Sequence, residues 1–268
     1  MKEFFIGKKD RIYYWKNDFS SKRKTLVFVH GLSGSSSAWD FYVKCFNKRY
    51  NLLLIDLRGH GKSFRPKKYL EYGISFFAED LYQVVKHERL SNFFLISHSF
   101  ANLIVLDFAN NYLKLVRGLI LLSPDFNPSR RFSSKAVHFL LRMIRPLLEL
   151  FPDKKSGSHI NYQKYPNGGD WNIPRMIADI GNTGLKSYLL CSLHAARFNA
   201  ERVLKKINVP TLLVHGKKDS IFPVECSVEM SKKIKNSELK IMPGADHILV
   251  LNHPKKISKL ISNFVDRN

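Results

Sequence analysis

Cysteine is scarce in this chain of 268 residues, which contains only Cys45, Cys191 and Cys226, far apart from one another. An odd number of widely spaced cysteines fits neither a disulfide framework nor a CxxC metal or redox motif. A reducing compartment fits this usage best, and we predict a cytoplasmic protein. The sequence also has no internal repeat and no low-complexity tract.

Long hydrophobic runs are missing as well. A membrane-spanning helix needs roughly 18 or more consecutive apolar residues, and no such run occurs. The first stretch, MKEFFIGKKDRIYYW, has only three consecutive apolar residues before charge returns, too few for the apolar region of a signal peptide. We therefore expect a soluble protein.

Acidic residues are few: 22 Asp and Glu face 44 Lys and Arg, a net charge of +22. The ratio is 22 basic to 11 acidic residues in 1–134 and again in 135–268, so the excess is not confined to a tail. Lys and Arg attract the phosphates of nucleic acids and acidic lipids. Because no basic run is interleaved with aromatics, we interpret the excess as a solvated surface and expect no nucleic-acid binding. Peripheral contact with an anionic membrane stays an alternative, and the oligomeric state is left open.

Short apolar runs alternate with longer amphipathic segments along the chain. The short runs are continuously apolar, as is typical of parallel strands covered by helices on both faces. This alternation predicts an α/β fold with a doubly wound, mostly parallel sheet, with a hairpin over about residues 2–15 at its edge. The strand candidates are 25–30, 51–56, 93–97, 118–123, 211–216 and 239–243, and the helical patterns lie near 74–89, 100–113, 223–235 and 254–266.

One interval interrupts the alternation. From Asp125 to Lys205 no strand of this type occurs, and the segment is too long for an ordinary connection in a compact domain. We interpret 125–205 as a helical cap inserted over the carboxyl edge of the sheet. The core domain would then consist of 1–124 and 206–268.

Within this cap, residues 134–151 have apolar positions at helical spacing, with Arg142 and Arg145 on other faces. Pro146 predicts a kink or the start of a new helix. We expect this segment to pack over the active-site cleft, or alternatively to dock on anionic lipid. The apolar positions are Val137, Leu140, Leu141, Ile144, Leu147, Leu148 and Phe151.

The stretch FFLISHSFANLIVLDFA (93–109) is an apolar run interrupted by three polar residues. A strand that ends at Ser97 and a helix that begins after Ser99 would hold Ser99 at a tight turn. Small residues at Ser97 and Ala101 allow close approach of the backbones, which is the physical content of the G-x-S-x-G nucleophile elbow. Both replace glycine, so this stretch alone also fits a simple helix N-cap.

A serine is a poor nucleophile unless a histidine accepts its proton and a carboxylate orients that histidine. Asp219 in VHGKKDSIFP and His247 in MPGADHIL each follow a predicted strand. Both therefore lie at the carboxyl ends of strands, where an open α/β sheet binds its ligand. These two residues make Ser99 a candidate nucleophile.

Five segments in this order resemble the α/β hydrolases over nearly the whole chain. They are VFVHGLSGSSSAWD, LIDLRGHGKS, the SHSFA turn, HGKKDSIFP and PGADHI. The resemblance implies the chain order Ser99, Asp219, His247 of a catalytic triad. It also implies an oxyanion hole formed by the backbone N–H groups of Leu32 and Phe100. His30 is expected to hold the HGL loop by hydrogen bonds.

Other histidines and acids also lie near the ends of predicted strands. His60, His98 and His215 have no HExxH spacing, so we expect neither a metal nor another cofactor. Some members of the family place the triad acid at the position of Asp125, which stays the alternative to Asp219. Asp246 is expected to be exposed. Asp56 and Arg58 are expected in a structural network around their turn.

The function indicated is a serine hydrolase that cleaves a carboxylic ester of an apolar acyl or aryl compound, which could be lipid-derived, such as a monoacylglycerol. The same triad could act on a thioester, amide, lactone or carbon–carbon bond. A dehalogenase or epoxide hydrolase is disfavoured, because these enzymes use an aspartate where Ser99 stands. A non-catalytic ligand-binding member of the fold is the alternative from another class.

Overall fold

The computed structural model describes residues 2–130, 132–150, 157–165 and 168–268. Its centre is a sheet of eight strands in the order β1-β2-β4-β3-β5-β6-β7-β8. The strands are β1 (Lys2–Ile6), β2 (Ile12–Lys16), β3 (Thr25–Val29), β4 (Asn51–Ile55), β5 (Phe93–His98), β6 (Val116–Leu122), β7 (Thr211–Gly216) and β8 (Ser237–Met242). The helices are α1 (Asp40–Phe46), α2 (Ile74–His87), α3 (Phe100–Tyr112), α4 (Phe132–Leu150), α5 (Ile173–Thr183), α6 (Leu185–Ala195), α7 (Glu201–Leu204), α8 (Val224–Lys233), α9 (Leu249–Asn252) and α10 (Pro254–Arg267).

The sheet is antiparallel only at one edge. Strands β1 and β2 form a hairpin, and β2 pairs antiparallel with β4. All other neighbouring strands are parallel. The predicted edge hairpin and the mostly parallel sheet are therefore confirmed.

The central strands β3 to β7 are almost entirely buried, because helices cover both faces of the sheet there. The expectation of burial on both faces is wrong for the strand at 239–243, because β8 is an edge strand and is only partly buried. Successive residues of β5 alternate between two cores: Leu95 packs with helices α2 and α3, whereas Phe94 and Ile96 pack with α1 and α10. Each residue of a strand buried in this way contributes to one core or the other, so no polar face is needed. The doubly wound α/β fold predicted from the sequence is confirmed.

Helices α4 to α7 lie between β6 and β7, within residues 125–205, where no strand was expected. A single helix, α4, runs through Pro146, so no new helix begins there. Pro146 and Arg142 are exposed. Water can therefore satisfy the Arg142 carbonyl, which loses its helical N–H donor to the proline ring.

The apolar residues of α4 do not all face inward. Leu148 is buried and Ile144 packs against the core. Leu140 and Leu147 are exposed instead, because the apolar surface of α4 is wider than the part that neighbouring elements cover. Among the other predicted positions, Phe151 and the side chains of Val137 and Leu141 lie outside the described residues. Within the described part of the chain, no helix is long and apolar enough to cross a membrane.

Candidate active site

Ser99 occupies the turn between β5 and α3. Its backbone has φ 55° and ψ −122°, a conformation that L-residues rarely adopt and that costs of order 1–3 kcal/mol. The N–H of Ser99 donates to the carbonyl of Leu122 at 3.0 Å, which ties the turn to the neighbouring strand β6. The Ser99 side chain makes no capping hydrogen bond to α3, so the N-cap interpretation does not describe this serine.

The two residues that replace glycine around this turn are fully buried. The hydroxyl of Ser97 donates to Oδ1 of Asn102 at 2.7 Å. The Asn102 amide in turn donates to the carbonyls of Ser99 and Leu122, both at 2.9 Å. The extra hydroxyl is therefore satisfied, and Ala101 adds only a methyl group. Asn102 could not be recognised from the sequence, because the nucleophile-elbow motif does not include this position.

Ser99, His247 and Asp219 form one chain of hydrogen bonds. Nε2 of His247 lies 2.6 Å from Oγ of Ser99, and its Nδ1 lies 2.8 Å from Oδ2 of Asp219. The three side chains come from the ends of β5, β8 and β7, which meet at the carboxyl edge of the sheet. The residues predicted from the sequence are thus brought into contact, Ser99 and His247 across 148 positions of the chain and Asp219 and His247 across 28.

Asp219 is held as a carboxylate. Its Oδ1 accepts the N–H groups of Ile221 at 2.9 Å and Phe222 at 2.7 Å. Nε2 of His215 lies 3.0 Å from its Oδ2. Burial opposes ionisation of Asp219, but the hydrogen bonds from His215 and His247 outweigh it and hold the pKa of Asp219 well below its usual range. His215, which the sequence placed only near the acid loop, therefore supports the acid directly.

His98 binds the histidine loop rather than the serine hydroxyl. Its Nε2 donates to the carbonyl of His247 at 2.8 Å, and Ser123 Oγ donates to the same carbonyl at 3.0 Å. Burial lowers the pKa of His98 to about 3. The ring is therefore neutral, with its proton on Nε2, and His98 and Ser123 together fix the backbone of His247.

The HGL loop lies directly against Ser99. A Cβ atom on Gly31 would come within 3.1 Å of His98 Nδ1 and 3.4 Å of Ser99 Cβ, so a side chain there would crowd both residues. Nδ1 of His30 lies 2.8 Å from the carbonyl of Gly31, and its Nε2 accepts the N–H of Leu57 at 3.1 Å. His30 thus anchors the loop. Burial lowers its pKa.

Of the two predicted oxyanion donors, Phe100 directly follows Ser99 in the chain and Leu32 lies in the neighbouring HGL loop. Phe100 is the first residue of α3, and the first N–H groups of a helix have no acceptor within it. Leu32 follows Gly31 in the loop beside Ser99 and packs against the core. Their assignment as the oxyanion hole stays a prediction.

The remaining acids occupy other positions. Oδ1 of the buried Asp125 accepts the N–H of Asn127 at 2.9 Å, whereas Nδ1 of His247 faces Asp219. Asp246 was expected to be exposed, but it is half-buried and accepts a hydrogen bond from Asn252 at 2.7 Å. The prediction of exposure is wrong, because the side chain of Asp246 turns toward α9, the helix that follows it.

Among the described residues, no group of three or more His, Cys, Asp or Glu side chains is arranged to hold a metal ion.

Asp56 and Arg58 do belong to structural networks, but to two separate ones. Arg58 forms a two-pronged pair with Asp80, at 2.6 Å and 2.7 Å. The fully buried Asp56 accepts the N–H of Ser36 at 2.7 Å and lies 2.8 Å from His159 Nε2. Burial opposes ionisation of Asp56, but the contact with His159 lowers its pKa overall. The loop beyond β3, the Asp56 turn and residues 125–205 between β6 and β7, which we call the inserted segment, therefore share one carboxylate.

Gly61 closes the Asp56 turn, and its replacement is expected to destabilise the protein. Gly61 has φ +47°, and an added Cβ would lie 2.1 Å from Oδ2 of Asp56. Gly61→Ala should lower the free energy of unfolding by about 2–4 kcal/mol, measured by denaturant titration. Gly181→Ala is the matched control, because its Cβ would meet no atom within 4 Å and α5 favours alanine. Equal stability of Gly61→Ala and wild type would contradict this account of the turn.

The chain resembles known proteins over most of its length. It is 26% identical over 257 residues to a Haemophilus influenzae protein named as an inferred esterase/lipase, covering 91% of this chain and 83% of that protein. It is 22% identical over 279 residues to Epoxide hydrolase 1 of Caenorhabditis elegans, covering 97% of this chain and 69% of that protein.

The fold has solved counterparts as well. An alpha/beta hydrolase enzyme from a Medee basin deep-sea metagenome library has a TM-score of 0.82 to this structure, at 19% identity, covering 99% of this chain and 98% of that one. The family model described as the alpha/beta hydrolase fold matches residues 24–254. With this match over most of its length, and with its sheet and inserted helices, the chain belongs to the alpha/beta hydrolase fold family.

Proposed function

We propose that this hydrolase-fold protein is a serine hydrolase that cleaves carboxylic esters of apolar acyl or aryl substrates through an acyl-enzyme. The observation that carries the proposal is the hydrogen-bonded chain from Ser99 through His247 to Asp219. Fluorophosphonate labelling of wild type and Ser99→Ala tests it.

The proposed reaction begins when Oγ of Ser99 attacks the ester carbonyl while Nε2 of His247 takes the hydroxyl proton. The carbonyl oxygen becomes an oxyanion, which the N–H groups of Leu32 and Phe100 stabilise. His247 then returns the proton to the alkoxide, the alcohol leaves, and the acyl group stays on Ser99. A water molecule repeats the sequence and releases the acid. Asp219 holds the His247 tautomer and stabilises its imidazolium form.

An ester is favoured among the substrates that this triad could attack. The Haemophilus relative is named as an inferred esterase/lipase, and the inserted segment is rich in apolar side chains. Serine at position 99 argues against epoxide opening, for which the carboxylate of an aspartate would serve as nucleophile, although an epoxide hydrolase is among the relatives. Thioester, amide, lactone and carbon–carbon bond cleavage stay alternatives, which a panel of matched acyl compounds distinguishes by kcat/KM.

We propose that residues 125–205 act as a cap that shapes the substrate cleft, with 1–124 and 206–268 as the core. Thr183, at the end of α5, donates its hydroxyl to the carbonyl of Ser33 at 2.9 Å. Ser33 lies in the loop that carries Leu32. The inserted segment thus contacts the proposed oxyanion loop, and the cap would influence both substrate entry and the position of the donors.

We also propose peripheral contact with an anionic membrane through a surface that we call the α4 surface. Its apolar members are between 60% and 81% exposed. The Arg145 guanidinium lies 5.0 Å from the Tyr69 ring, which brings the exposed Leu70 and the basic Lys67 and Lys68 beside α4. Apolar side chains rimmed by positive charge suit an anionic lipid interface. The members on α4 are Phe139, Leu140, Met143, Leu147 and Leu150.

Leu147→Glu is expected to weaken binding to anionic vesicles about 10-fold, because it removes one inserted apolar side chain and adds a repelled charge. Cosedimentation with vesicles of phosphatidylserine and phosphatidylcholine measures the bound fraction. The matched control is Ile241→Glu, which makes the same charge change at an exposed position of the far edge strand β8. Equal loss in both variants, or equal binding of wild type to uncharged vesicles, would contradict the proposal. The cytoplasmic location stays a prediction.

A further inference from the structure

One carboxylate of the inserted segment contacts both loops that carry the proposed base and acid. Oδ1 of Asp170 accepts the backbone N–H of His247 at 2.6 Å. Its Oδ2 accepts both the N–H and the hydroxyl of Ser220, at 2.9 Å and 2.8 Å. Ser220 directly follows Asp219 in the chain. Asp170 is buried, so these bonds form away from bulk water, where they are stronger and their loss costs more.

The backbone of His247 is therefore held on both sides. On the carbonyl side, His98 and Ser123 of the core donate to it. On the N–H side the only bond described is that of Asp170, which comes from the inserted segment. The imidazole must lie within hydrogen-bond reach of Ser99 and Asp219 at once, so a shift of its backbone would lengthen one of these bonds.

Asp170 is itself fixed from within the inserted segment. The buried Arg175 donates from Nη2 to the carbonyl of Asp170 at 3.0 Å. Nε of Arg175 lies 3.6 Å from Oδ2 of Asp179, one turn further along α5. Trp171, the next residue, donates its indole N–H to Oγ of Ser220 at 3.0 Å. The Arg175 bond therefore fixes the main chain that carries the Asp170 carboxylate, whereas the Trp171 bond reaches Ser220 without touching Asp170.

From this geometry we infer that Asp170 is a positioning residue of the reaction: it joins the His247 loop to the Asp219 loop and holds the imidazole in line between Ser99 and Asp219. The inference rests on the proposed function. It gives the inserted segment a role in the chemistry besides shaping the cleft. Displacements of about 1 Å at a reacting group can cost on the order of 100-fold in rate, so this support would act on kcat rather than on substrate affinity.

Asp170→Asn tests the inference without a change of shape. A carboxylate accepts on both oxygens, but an amide has one acceptor oxygen, and its NH2 must face the N–H of either His247 or Ser220. In either orientation one backbone N–H, that of His247 or that of Ser220, loses its acceptor, while the NH2 can still donate to the Ser220 hydroxyl. For Asp170→Asn, we expect kcat for an aryl ester to fall about 10-fold, with KM within about twofold of wild type. The kcat of Asp170→Ala should fall further. The rate of fluorophosphonate labelling should fall by the same factor as kcat.

Trp171→Phe is the matched control, because it removes a bond from the same segment to Ser220 but leaves the bond to His247. Its kcat should stay within about twofold of wild type. An unchanged kcat in Asp170→Asn, or an equal loss in Trp171→Phe, would overturn the inference. Thermal melting of each variant separates this effect from unfolding, and should Asp170→Ala fail to fold, the isosteric Asp170→Asn decides the question.

A second measurement does not depend on turnover. Hydrogen–deuterium exchange of peptides that include His247 should be faster in Asp170→Asn than in wild type and Trp171→Phe. In the variant, either the His247 N–H loses its acceptor or the side chain that accepts it loses the Ser220 N–H that holds it in place. Unchanged exchange would overturn the inference even in an active enzyme. Absence of ester hydrolysis and of labelling in wild type would instead remove the proposed function, so the two failures are distinguishable.

Discussion

Ser99→Ala is expected to abolish fluorophosphonate labelling and to lower kcat for aryl ester hydrolysis by at least about 1,000-fold. The probe phosphonylates a serine whose proton is taken by a neighbouring base, and the 2.6 Å contact between His247 Nε2 and Ser99 Oγ supplies that base. Alanine removes the oxygen that forms the acyl-enzyme but leaves the backbone of the turn. Labelling is followed by gel fluorescence and by intact mass.

Ser97→Ala serves as the control for this variant. Ser97 is a buried serine of the same turn, and its hydroxyl bonds only to Asn102 among the contacts described, so labelling should persist. Equal labelling of Ser99→Ala and wild type would exclude Ser99 as the nucleophile. A wild type that binds an apolar ester but neither hydrolyses it nor reacts with the probe would support the non-catalytic ligand-binding alternative.

Asp219→Asn is expected to reduce kcat roughly 1,000- to 10,000-fold at neutral pH. The amide can present an NH2 group to Nδ1 of His247, which would favour the tautomer with its proton on Nε2 and leave no base for Ser99. The fold should persist, because the amide oxygen can still accept the N–H groups of Ile221 and Phe222. Steady-state kinetics with an aryl ester measure the effect.

Asp125→Asn is the matched comparison, since Asp125 is the alternative acid and is also buried. Its kcat should stay within about threefold of wild type, because its described bond is to the N–H of Asn127. A larger loss in Asp125→Asn than in Asp219→Asn would reverse the assignment of the acid.

Because the pKa of Asp219 is lowered, the difference in stability between wild type and Asp219→Asn should depend on pH. A carboxyl group whose pKa is lower in the folded state stabilises the fold at pH values above its pKa in the unfolded chain, about 3.9 for aspartate. This stabilisation is lost as the pH falls further, toward the pKa of the folded state. The melting temperature of wild type should therefore exceed that of Asp219→Asn most at neutral pH, and the difference should shrink below about pH 4. A difference that grows on acidification would contradict this.

The core of the fold could be predicted because its strands carry their own signal. The runs 52–55 and 93–96 are continuously apolar, a pattern typical of strands buried on both faces. The candidate triad followed because each of its residues comes after such a strand, and parallel strands end at one edge. Ser97 and Ala101 weakened the motif, and only the structure revealed that Asn102 satisfies the Ser97 hydroxyl.

Contacts made by the inserted segment could not be predicted in the same way. Asp170 reaches His247 and Ser220, and His159 reaches Asp56, across intervals of chain that follow no fixed spacing. Nor did the periodicity of α4 reveal that Leu147 would be exposed while Leu148 is buried. Periodicity defines an apolar stripe but not which part of it another element covers.

The sequence by itself thus determined the α/β layers, the edge hairpin, the interval that holds the extra helices and the identity of Ser99, Asp219 and His247 as candidates. These follow from local regularities: the period of apolar residues and the positions of polar residues at strand ends. Only the tertiary structure decided the hydrogen bonds among the three, the supports from His215, His98 and Asp170, and the exposed face of α4. Such contacts depend on how separate elements pack in space, and packing distances are not encoded in any local pattern of the chain.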